Sequence, residues 1–376
     1  MQIVPVQTSD SARLGQYVSL LSDALLESGE ETAALNVEDM VARIQRPVSG
    51  WEERFWLAFP AGANPAEPGV EPIGFAIASW SIGAANADAA NLNLWVSAAH
   101  RGRGIGTALL EHVVSELPAH LTRFFSYVAA DMSGGPIASS DLPSPRFARD
   151  SGFRVTELCH LRRHPWPIDA TLLESLDPST ADPDGRRRLG AYSIETYVDG
   201  VPADLQDSFA RLLGLVEAEA PHGDVDLEPE EITAEIYRQG LERTRTAKAT
   251  RVESVAVLTH PDGSREAVGM SSYTAPAQAD ALIEVNATIV DRAHRGHRLG
   301  WAIKCAVERR LLELNLPHKQ VNSCNADSNQ AMLAINHALG FREVLQIADL
   351  FGERATVSER LAERRARHQA ANQESQ

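Results

Sequence analysis

The sequence predicts a mixed α/β (α+β) protein built from two similar domains, and three observations support this prediction. The chain has 376 residues, enough for two domains that each bury a core. A strand, an arginine- and glycine-rich turn and an apolar helix occur twice, 194 positions apart, with turns at His100–Gly106 and His294–Gly300. Around each turn, neighbouring strand-like runs predict a mostly antiparallel sheet flanked by helices.

Composition narrows the classes of function. Hydrophobic residues make up 44% of the chain and charged residues 23%, as in ordinary globular proteins. The net charge of −16 argues against nucleic acid as a partner, because phosphates attract basic surfaces. The N-terminus lacks the pattern of a signal peptide, and the longest uncharged run, Pro72–Ala87, is too short for a membrane span. The isolated Cys159, Cys305 and Cys324 favour a reduced, cytoplasmic protein without a metal site.

The first predicted domain covers residues 1–163 and is followed by a linker at 164–189. Four prolines and the run Arg186–Arg188 indicate that the linker is exposed, with one helical turn at Asp169–Leu176. The predicted elements of the first domain are a strand at Gln2–Gln7, helices between Ser11 and Arg46, strands at Arg54–Phe59, Pro72–Trp80 and Leu92–Val96, a helix at Thr107–Val114, a strand at Arg123–Ala129, a helix at Arg146–Asp150 and a strand at Phe153–Arg162.

The second predicted domain covers residues 190–355 and repeats this order. The charged tail, 356–376, predicts an exposed helix that frays. The predicted elements are a strand at Tyr192–Tyr197, helices at Pro202–Glu219 and Glu228–Arg243, strands at Arg251–Thr259, Glu266–Tyr273 and Ile283–Val290, a helix at Gly296–Leu314, a strand at Gln320–Cys324, a helix at Ser328–Leu339 and a strand at Arg342–Leu350.

Each strand–turn–helix repeat predicts an anion site. Backbone N–H groups of the turn converge at the N-terminus of the helix, where the helix dipole also favours a phosphate. A dinucleotide fingerprint is one alternative, because Gly102 and Gly104 form a G-x-G, but its third glycine would be Thr107 and the second copy has no G-x-G. A turn without a ligand is the other alternative.

The turns and the element order resemble the GNAT superfamily of acetyl-CoA-dependent N-acetyltransferases, in particular its two-domain actinobacterial members. That family carries Arg or Gln, two residues, Gly, one residue, and Gly or Ala after its fourth strand. The first copy fits at Arg101, Gly104 and Gly106, whereas the second has Arg298 in place of the first glycine. The resemblance covers nearly the whole chain.

A second family motif, an asparagine before a helix that ends in Gly-Phe, strengthens the resemblance. Asn329 and the pair Gly340–Phe341 match it in the second half. The first half keeps Gly152–Phe153 but has Asp141 where the asparagine would fall.

The resemblance implies that acetyl-CoA binds as a co-substrate, with its pyrophosphate on the turn amides and its pantetheine along the fourth strand. Arg298 would be tolerated if its backbone stays in an ordinary region, and its guanidinium would add a phosphate contact. The alternative is a second turn that has lost its ligand. The positions that the resemblance assigns to coenzyme A are Leu94, Trp95, Val96, Arg101, Arg103, Gly104, Ile105, Gly106 and Thr107 in the first copy, and Ile289, Val290, Arg295, His297, Arg298, Leu299, Gly300, Trp301 and Asn329 in the second.

Glu284 is the candidate catalytic residue. It lies eleven residues before Arg295, the spacing at which some family members carry a general-base glutamate. Strand alternation predicts that Glu284, Asn286 and Thr288 share one face, unless a bulge intervenes. The alternative is that Glu284 only tops an exposed strand end. Because the matching positions of the first copy are apolar, we expect the chemistry in the second domain; these positions are Ala90, Leu92 and Leu94.

The usual family acid, a tyrosine, is absent from both halves, where Ala148 and Asn336 stand instead. Protonation of the leaving thiolate would then use water or a side chain such as Cys324 or Tyr273. The expected function is direct acetyl transfer to the amine of a small molecule or peptide. Eight carboxylates within Glu217–Glu235 suit a cationic acceptor, or else complement helix N-termini. The alternative function is a non-catalytic or half-degenerate coenzyme A-binding protein with a structural or sensing role.

Overall fold

The computed structural model describes residues 1–67, 69–83, 85–131, 137, 140–179, 189–219, 223–228 and 231–374. Twelve strands and ten α-helices lie in this part of the chain, which confirms the mixed α/β class. The run Arg186–Arg188 of the linker and Glu230 of the acidic segment fall outside the described residues. Within them, no helix combines the length and the apolar character that crossing a bilayer requires.

The first half follows the predicted element order. The first helix begins after Asp10, whose side chain accepts a hydrogen bond from the Arg13 N–H at 3.0 Å, and ends at Gly29 in the left-handed conformation. The elements are β1 Gln2–Val6, α1 Ser11–Ser28, α2 Val37–Ile44, β2 Trp51–Phe59, β3 Gly74–Ser81, β4 Ala89–Val96, α3 Ile105–Glu116, β5 Arg123–Asp131, α4 Pro143–Asp150 and β6 Arg154–Pro165.

The second half repeats this order, but the four helices between its first and last strands all begin later than predicted. The elements are α5 Ala170–Leu176, β7 Tyr192–Val198, α6 Gln206–Glu219, α7 Ala234–Thr246, β8 Thr250–Thr259, β9 Arg265–Ala275, β10 Ile283–Val290, α8 Leu299–Glu313, β11 Gln320–Ala326, α9 Gln330–Ala338, β12 Arg342–Glu353 and α10 Arg354–Glu374. The largest difference is in α7, which begins at Ala234 rather than Glu228, because the Thr233 hydroxyl caps it by accepting from the Ile236 N–H at 3.3 Å.

The chain folds as two compact units that are discontinuous in sequence. Unit 1 comprises Met1–Leu158, His222–Asp226 and Leu345–Gln376, and unit 2 comprises Cys159–Pro221 and Leu227–Val344. The sequence-based bounds, 1–163 and 190–355, take each half as a continuous segment. In the structure, each unit receives a strand from the other half of the chain.

The strand exchange is visible in the sheets. Unit 1 has the strand order β1-β2-β3-β4-β5-β12, and Leu345–Glu353 of β12 runs antiparallel to Arg123–Asp131 of β5. Unit 2 has the order β6-β11-β10-β9-β8-β7, and Cys159–Pro165 of β6 runs antiparallel to β11. Each sheet is mostly antiparallel, as predicted, with a single parallel pair, β4/β5 in unit 1 and β10/β11 in unit 2.

Helices cover both faces of each sheet, which explains why polar and apolar residues do not alternate along the strands. In β2, Phe55, Leu57 and Phe59 pack with α1 and α2, while Trp56 and Ala58 pack on the side of α3. In unit 2, α6 and α7 contribute to one apolar cluster and α8 to two others. Strands buried on both faces read as continuous apolar runs.

The sequence predicts that the C-terminal tail is exposed, but its first turns belong to the core of unit 1. Val357 and Leu361 of α10 are buried against the α3 side of the sheet. Arg354 donates hydrogen bonds of 2.5–3.1 Å to four carbonyl groups at and after the end of α3, those of Val114, Leu117, Pro118 and Leu121. The carbonyl groups of a last helical turn have no intrahelical donor, so Arg354 supplies one.

Candidate functional site

In both units, the parallel strand pair separates shortly after it begins. The registered pairing of β4 with β5 covers Ala89–Asn91 and Arg123–Phe125. The pairing of β10 with β11 covers Ile283–Glu284 and Val321–Asn322. Beyond these residues, β4 stays paired with β3 and β5 with β12, so an opening forms between β4 and β5.

In unit 1, this opening leads into a cavity of about 390 Å³. The cavity extends from the separating strands to the N-terminus of α3 and is lined on the helix side by Leu110, Ala148 and Phe153. Arg103, which the resemblance also assigned to coenzyme A, is exposed on the turn and is not part of the lining. The predicted residues that line the cavity are Leu94, Trp95, Val96, Arg101, Gly104, Ile105, Gly106 and Thr107.

The turn of unit 1 presents the helix N-terminus to the cavity. Gly104 is the N-cap of α3 and is left-handed, with φ 79°, and Gly102 has φ 74°. A glycine offers no capping side chain, so no side-chain hydrogen bond closes the first turn. The N–H groups of a first helical turn lack intrahelical acceptors and can therefore bind an anion.

The turn of unit 2 departs from this arrangement at Arg298. The condition under which Arg298 would be tolerated is not met, because Arg298 is the left-handed N-cap of α8, with φ 59°. A left-handed conformation costs about 1–2 kcal/mol for a residue with a side chain. The guanidinium lies over the ring of Trp301, 5.8 Å from its centroid.

The first arginine of each turn is held by a clamp, by which we mean a carboxylate and a strand carbonyl together. In unit 1, Arg101 donates to both carboxylate oxygens of Glu27 at 2.5 and 2.6 Å and to the Val96 carbonyl at 2.8 Å. The Trp95 indole N–H donates to the same carboxylate at 3.0 Å. These donors, Arg101 foremost, lower the pKa of Glu27.

Unit 2 repeats the clamp with other residues. Arg295 donates to the Val290 carbonyl at 2.9 Å and to the carboxylate of Glu219, which Arg292 also contacts at 3.1 Å. In both units the arginine ties its turn to the preceding strand and to the carboxylate. We infer that Arg101 and Arg295 position the turn.

Glu284 lies where β10 and β11 still pair, and it is half-buried. The Asn322 side-chain amide donates to both of its carboxylate oxygens, at 3.0 and 3.1 Å. Asn286 donates to the hydroxyls of Thr274 and Ser272 at 2.8 and 3.2 Å. Glu284 therefore sits in a polar network.

The predicted shared face of Glu284, Asn286 and Thr288 is only partly correct. The register between β10 and β9 shifts between Val285 and Ala287, which marks a bulge at Asn286. The inserted residue reverses the alternation, because Glu284 opposes Thr274 while Thr288 opposes Ser271. Thr288 thus lies on the other face, where its hydroxyl bonds that of Ser271 at 2.8 Å.

The position of the family acid is filled differently in the two units. Ala148 lines the cavity of unit 1. Asn336 is fully buried and accepts a hydrogen bond from the Lys304 ammonium at 2.6 Å. Lys304 is also fully buried, and desolvation lowers its pKa to about 8.

The two side chains considered as substitutes for that acid are Tyr273 and Cys324, and their surroundings differ. Tyr273 is fully buried, its hydroxyl donates to Glu308 at 2.8 Å, and desolvation raises its pKa well above the usual value. His164 contacts the same carboxylate at 3.3 Å. Cys324 is exposed.

The remaining predicted residues of unit 2 are structurally engaged. Leu299 and Ile289 are buried in apolar clusters, and the ring of His297 lies 5.2 Å from that of Tyr192. Asn329 caps α9 by accepting from the Met332 N–H at 3.2 Å. A side chain added at Gly300 would contact Ile335 at 3.4 Å.

Sequence reasoning missed Glu27, Lys304 and the β5 side of the cavity. Comparing the two copies position by position would have found Lys304, because a lysine stands there in an apolar helix stripe opposite Leu110. No sequence signal identifies Glu27, since its partner Arg101 is 74 residues away. Ser126 and Tyr127 line the cavity only because β5 separates from β4.

A sheet that splits after one parallel pair, with a left-handed turn at the N-terminus of the next helix, defines a GNAT-type acyltransferase fold, and this chain contains it twice. Residues 25–134 match the model of the acetyltransferase (GNAT) family. The chain is therefore a tandem GNAT-fold protein whose unit 1 contains a GNAT-family domain.

Solved structures agree with this assignment. A tandem GNAT protein from the clavulanic acid biosynthesis pathway is 23% identical over 94% of this chain and 98% of its own, with a TM-score of 0.69. A GCN5-related N-acetyltransferase from Sphaerobacter thermophilus is 15% identical over 94% and 96%, with a TM-score of 0.55. Saccharomyces cerevisiae N-myristoyltransferase, solved with myristoyl-CoA, is 10% identical over 93% and 78%, with a TM-score of 0.54. Sequence comparison with curated proteins gave no significant match.

Proposed function

We propose that the chain transfers an acetyl group from acetyl-CoA to an amine, and that coenzyme A lies in the cavity of unit 1. One observation supports this most strongly. The cavity joins the split sheet to the N-terminus of α3, and its described lining includes Arg101, Arg146 and Arg364 but no carboxylate. Arg101 is ion-paired with Glu27 and Arg364 with Asp150, so Arg146 and the N–H groups at the start of α3 provide the remaining positive charge. Coenzyme A carries several phosphate charges at one end and a thin pantetheine arm, which suit such a shape and charge.

In this arrangement the pyrophosphate accepts hydrogen bonds from the backbone of Gly104–Thr107. The pantetheine runs along Leu94–Val96, whose edge away from β3 faces the cavity. The thioester then lies near the point where the strands separate. There Ser126 donates to Asn93 at 3.3 Å, so both side chains can offer polar contacts to the thioester.

The neutral amine nitrogen attacks the thioester carbon, the C–N bond forms, the C–S bond breaks, the thiolate leaves, and the nitrogen loses one proton to water. Water protonates the thiolate in our proposal, because Ala148 offers no acid. Positioning of the two reactants and hydrogen bonds to the thioester oxygen supply the acceleration. An amine with a pKa of about 10 is about 99.9% protonated at pH 7. The described lining has no carboxylate, and its His100 is not assigned as the base. We therefore expect kcat/KM to rise about tenfold per pH unit below the pKa of the amine.

The decisive experiment measures thiol release from acetyl-CoA with polyamines, aminoglycosides, amino acids and peptides. Acceptor-dependent release supports transfer. Tight binding of coenzyme A without release for any acceptor supports the alternative of a non-catalytic binding protein. Absence of coenzyme A binding in calorimetry contradicts both.

A cationic acceptor remains part of the proposal, although the acidic segment is partly neutralised. Asp224 pairs with Arg154 at 2.5 Å, and Glu219 pairs with Arg295. The panel therefore compares cationic amines with neutral amines of similar size. A preference for cations that fades with added salt would support attraction by the remaining charge.

The clamp on Arg101 gives a testable effect on affinity. Glu27→Gln should weaken coenzyme A binding about fivefold, because loss of a half-exposed ion pair costs about 1 kcal/mol and loosens the turn. Calorimetry measures the change. Glu52→Gln is the matched control, since it removes another half-exposed ion pair, with Arg54, from β2. Equal effects of the two substitutions would contradict a positioning role for Glu27.

A second location for the chemistry is unit 2, with Glu284 as the general base. The observation in its favour is the half-buried carboxylate at the point where β10 and β11 separate. Transfer there would slow about 10²–10⁴-fold in Glu284→Gln, with coenzyme A affinity nearly unchanged. Transfer in unit 1 predicts turnover close to that of the unaltered protein. The turnover of Glu284→Gln on a verified acceptor decides between the two units.

A further inference from the structure

We propose that a bridge of three side chains, Lys304, Asn336 and Asn325, closes in unit 2 the space that forms the coenzyme A cavity in unit 1, so that the chain binds one coenzyme A. This inference rests on the proposed function. It proposes that the bridge determines which of the two units binds coenzyme A.

The three bridge residues stand at positions that line the cavity of unit 1. Aligning the two turns places Lys304 opposite Leu110, and aligning the two Gly-Phe pairs places Asn336 opposite Ala148. Aligning the parallel strand pairs, with Arg123 opposite Val321, places Asn325 opposite Tyr127. Leu110, Ala148 and Tyr127 all line the cavity.

Hydrogen bonds join these residues in unit 2, whereas in unit 1 their counterparts surround open space. The Lys304 ammonium donates to Asn336 Oδ1 at 2.6 Å, and Asn336 Nδ2 donates to Asn325 Oδ1 at 2.5 Å. Lys304 and Asn336 are both 0% exposed. The bridge therefore connects α8, α9 and β11 across the interior of the unit.

A ligand entering this space would have to separate the bridge. The Lys304 ammonium also lies over the rings of Phe341 and Tyr273, at 5.0 and 5.6 Å, and the buried Glu308 provides the nearby negative charge. Displacing Asn336 would leave a buried cation without its hydrogen-bond acceptor, which is strongly unfavourable. The amide carbonyls of a pantetheine arm could accept from the ammonium only after the bridge has opened.

A second, independent departure lies at the other end of the same space. In unit 1 the N-cap of the turn is Gly104, whereas in unit 2 it is Arg298 in the same left-handed conformation. The glycine that allows close approach of a phosphate is thus missing from the unit whose interior is bridged. Both ends of the unit 2 space differ from the site in unit 1.

The test counts coenzyme A equivalents per chain by calorimetry and native mass spectrometry. We expect one for the unaltered protein, and none for Gly104→Asp at coenzyme A concentrations that only just saturate the unaltered protein. Lys304→Leu with Asn336→Ala and Arg298→Gly, which gives unit 2 the residues of unit 1, should raise the count to two. Adding Gly104→Asp to that triple variant should leave one equivalent, now in unit 2.

The reverse exchange, Leu110→Lys with Ala148→Asn, should abolish binding, and a thermal melt verifies that this variant still folds. Two equivalents in the unaltered protein would overturn the inference and leave the proposed function intact. A triple variant that folds and still binds one equivalent would also overturn it. A chain that binds no coenzyme A removes the proposed function and this inference together.

Discussion

Gly104→Asp should weaken coenzyme A binding about 100-fold or more. The substitution places a carboxylate at the N-cap of α3, where the proposed pyrophosphate accepts backbone hydrogen bonds. Loss of two charge-assisted hydrogen bonds, together with repulsion between like charges, amounts to about 3 kcal/mol. Calorimetry with coenzyme A measures this loss directly.

Gly62→Asp is the matched control for backbone strain. Gly62 has the same φ as Gly104, 79°, and lies in an exposed turn with no atom within 4 Å of an added Cβ. Both variants introduce aspartate into the left-handed region, so a difference in affinity isolates the site. Binding that survives Gly104→Asp but is lost in Arg298→Asp would move coenzyme A to unit 2.

Fragments cut in the linker, residues 1–163 and 190–376, should fail to fold on their own. The first fragment lacks β12 and α10, which supply Leu350, Phe351, Val357 and Leu361 to unit 1, all of them buried. At about 1.5–3 kcal/mol for each buried side chain, the loss is about 6–12 kcal/mol, comparable to the stability of a whole domain. The second fragment lacks Trp166, Ile168 and Leu173, which are buried in unit 2.

Circular dichroism and gel filtration of the separate fragments test this expectation. Mixing the fragments, or producing them together, should restore the melt of unit 1, because residues 190–376 carry the β12 and α10 that it needs. The melt of unit 2 should stay absent, because neither fragment contains Trp166, Ile168 or Leu173. A fragment 1–163 that melts cooperatively by itself would show that β6 can replace β12 beside β5. The domain bounds predicted from the sequence would then describe independent folding units.

Local patterns predicted most of the fold, because glycine turns and apolar periodicity depend on neighbouring residues. The exchange of β6 and β12 was not predictable in this way. Both strands follow a Gly-Phe pair and have similar patterns, so either could pair with β5 or β11 on local grounds. Packing of distant segments decides the pairing.

In the candidate site, too, some features depend on neighbouring residues and others on distant segments. The turn around Gly104 could be assigned from its glycines alone. The face of Thr288 could not, because a bulge at Asn286 adds one residue to the alternation. The conformation of Arg298 and the burial of Lys304 depend on the tertiary structure around them. The lysine at position 304 stands out in the sequence only when it is compared with Leu110, the matching residue of the first copy.

The pairing of β12 with β5 also affects the order in which unit 1 can fold during synthesis. The edge of β5 in unit 1 is completed by β12, which ends at Glu353. Roughly 190 residues lie between the end of the first half and the end of β12. Because ribosomes add about 5–20 residues per second, β12 is completed about 10–40 s after the first half. Throughout this interval the nascent β5 exposes unpaired backbone groups, and β6 is the nearest strand in sequence that can occupy them. Any pairing of β6 with β5 in this interval would have to break before β12 takes its place, so the order of translation would then oppose the final pairing.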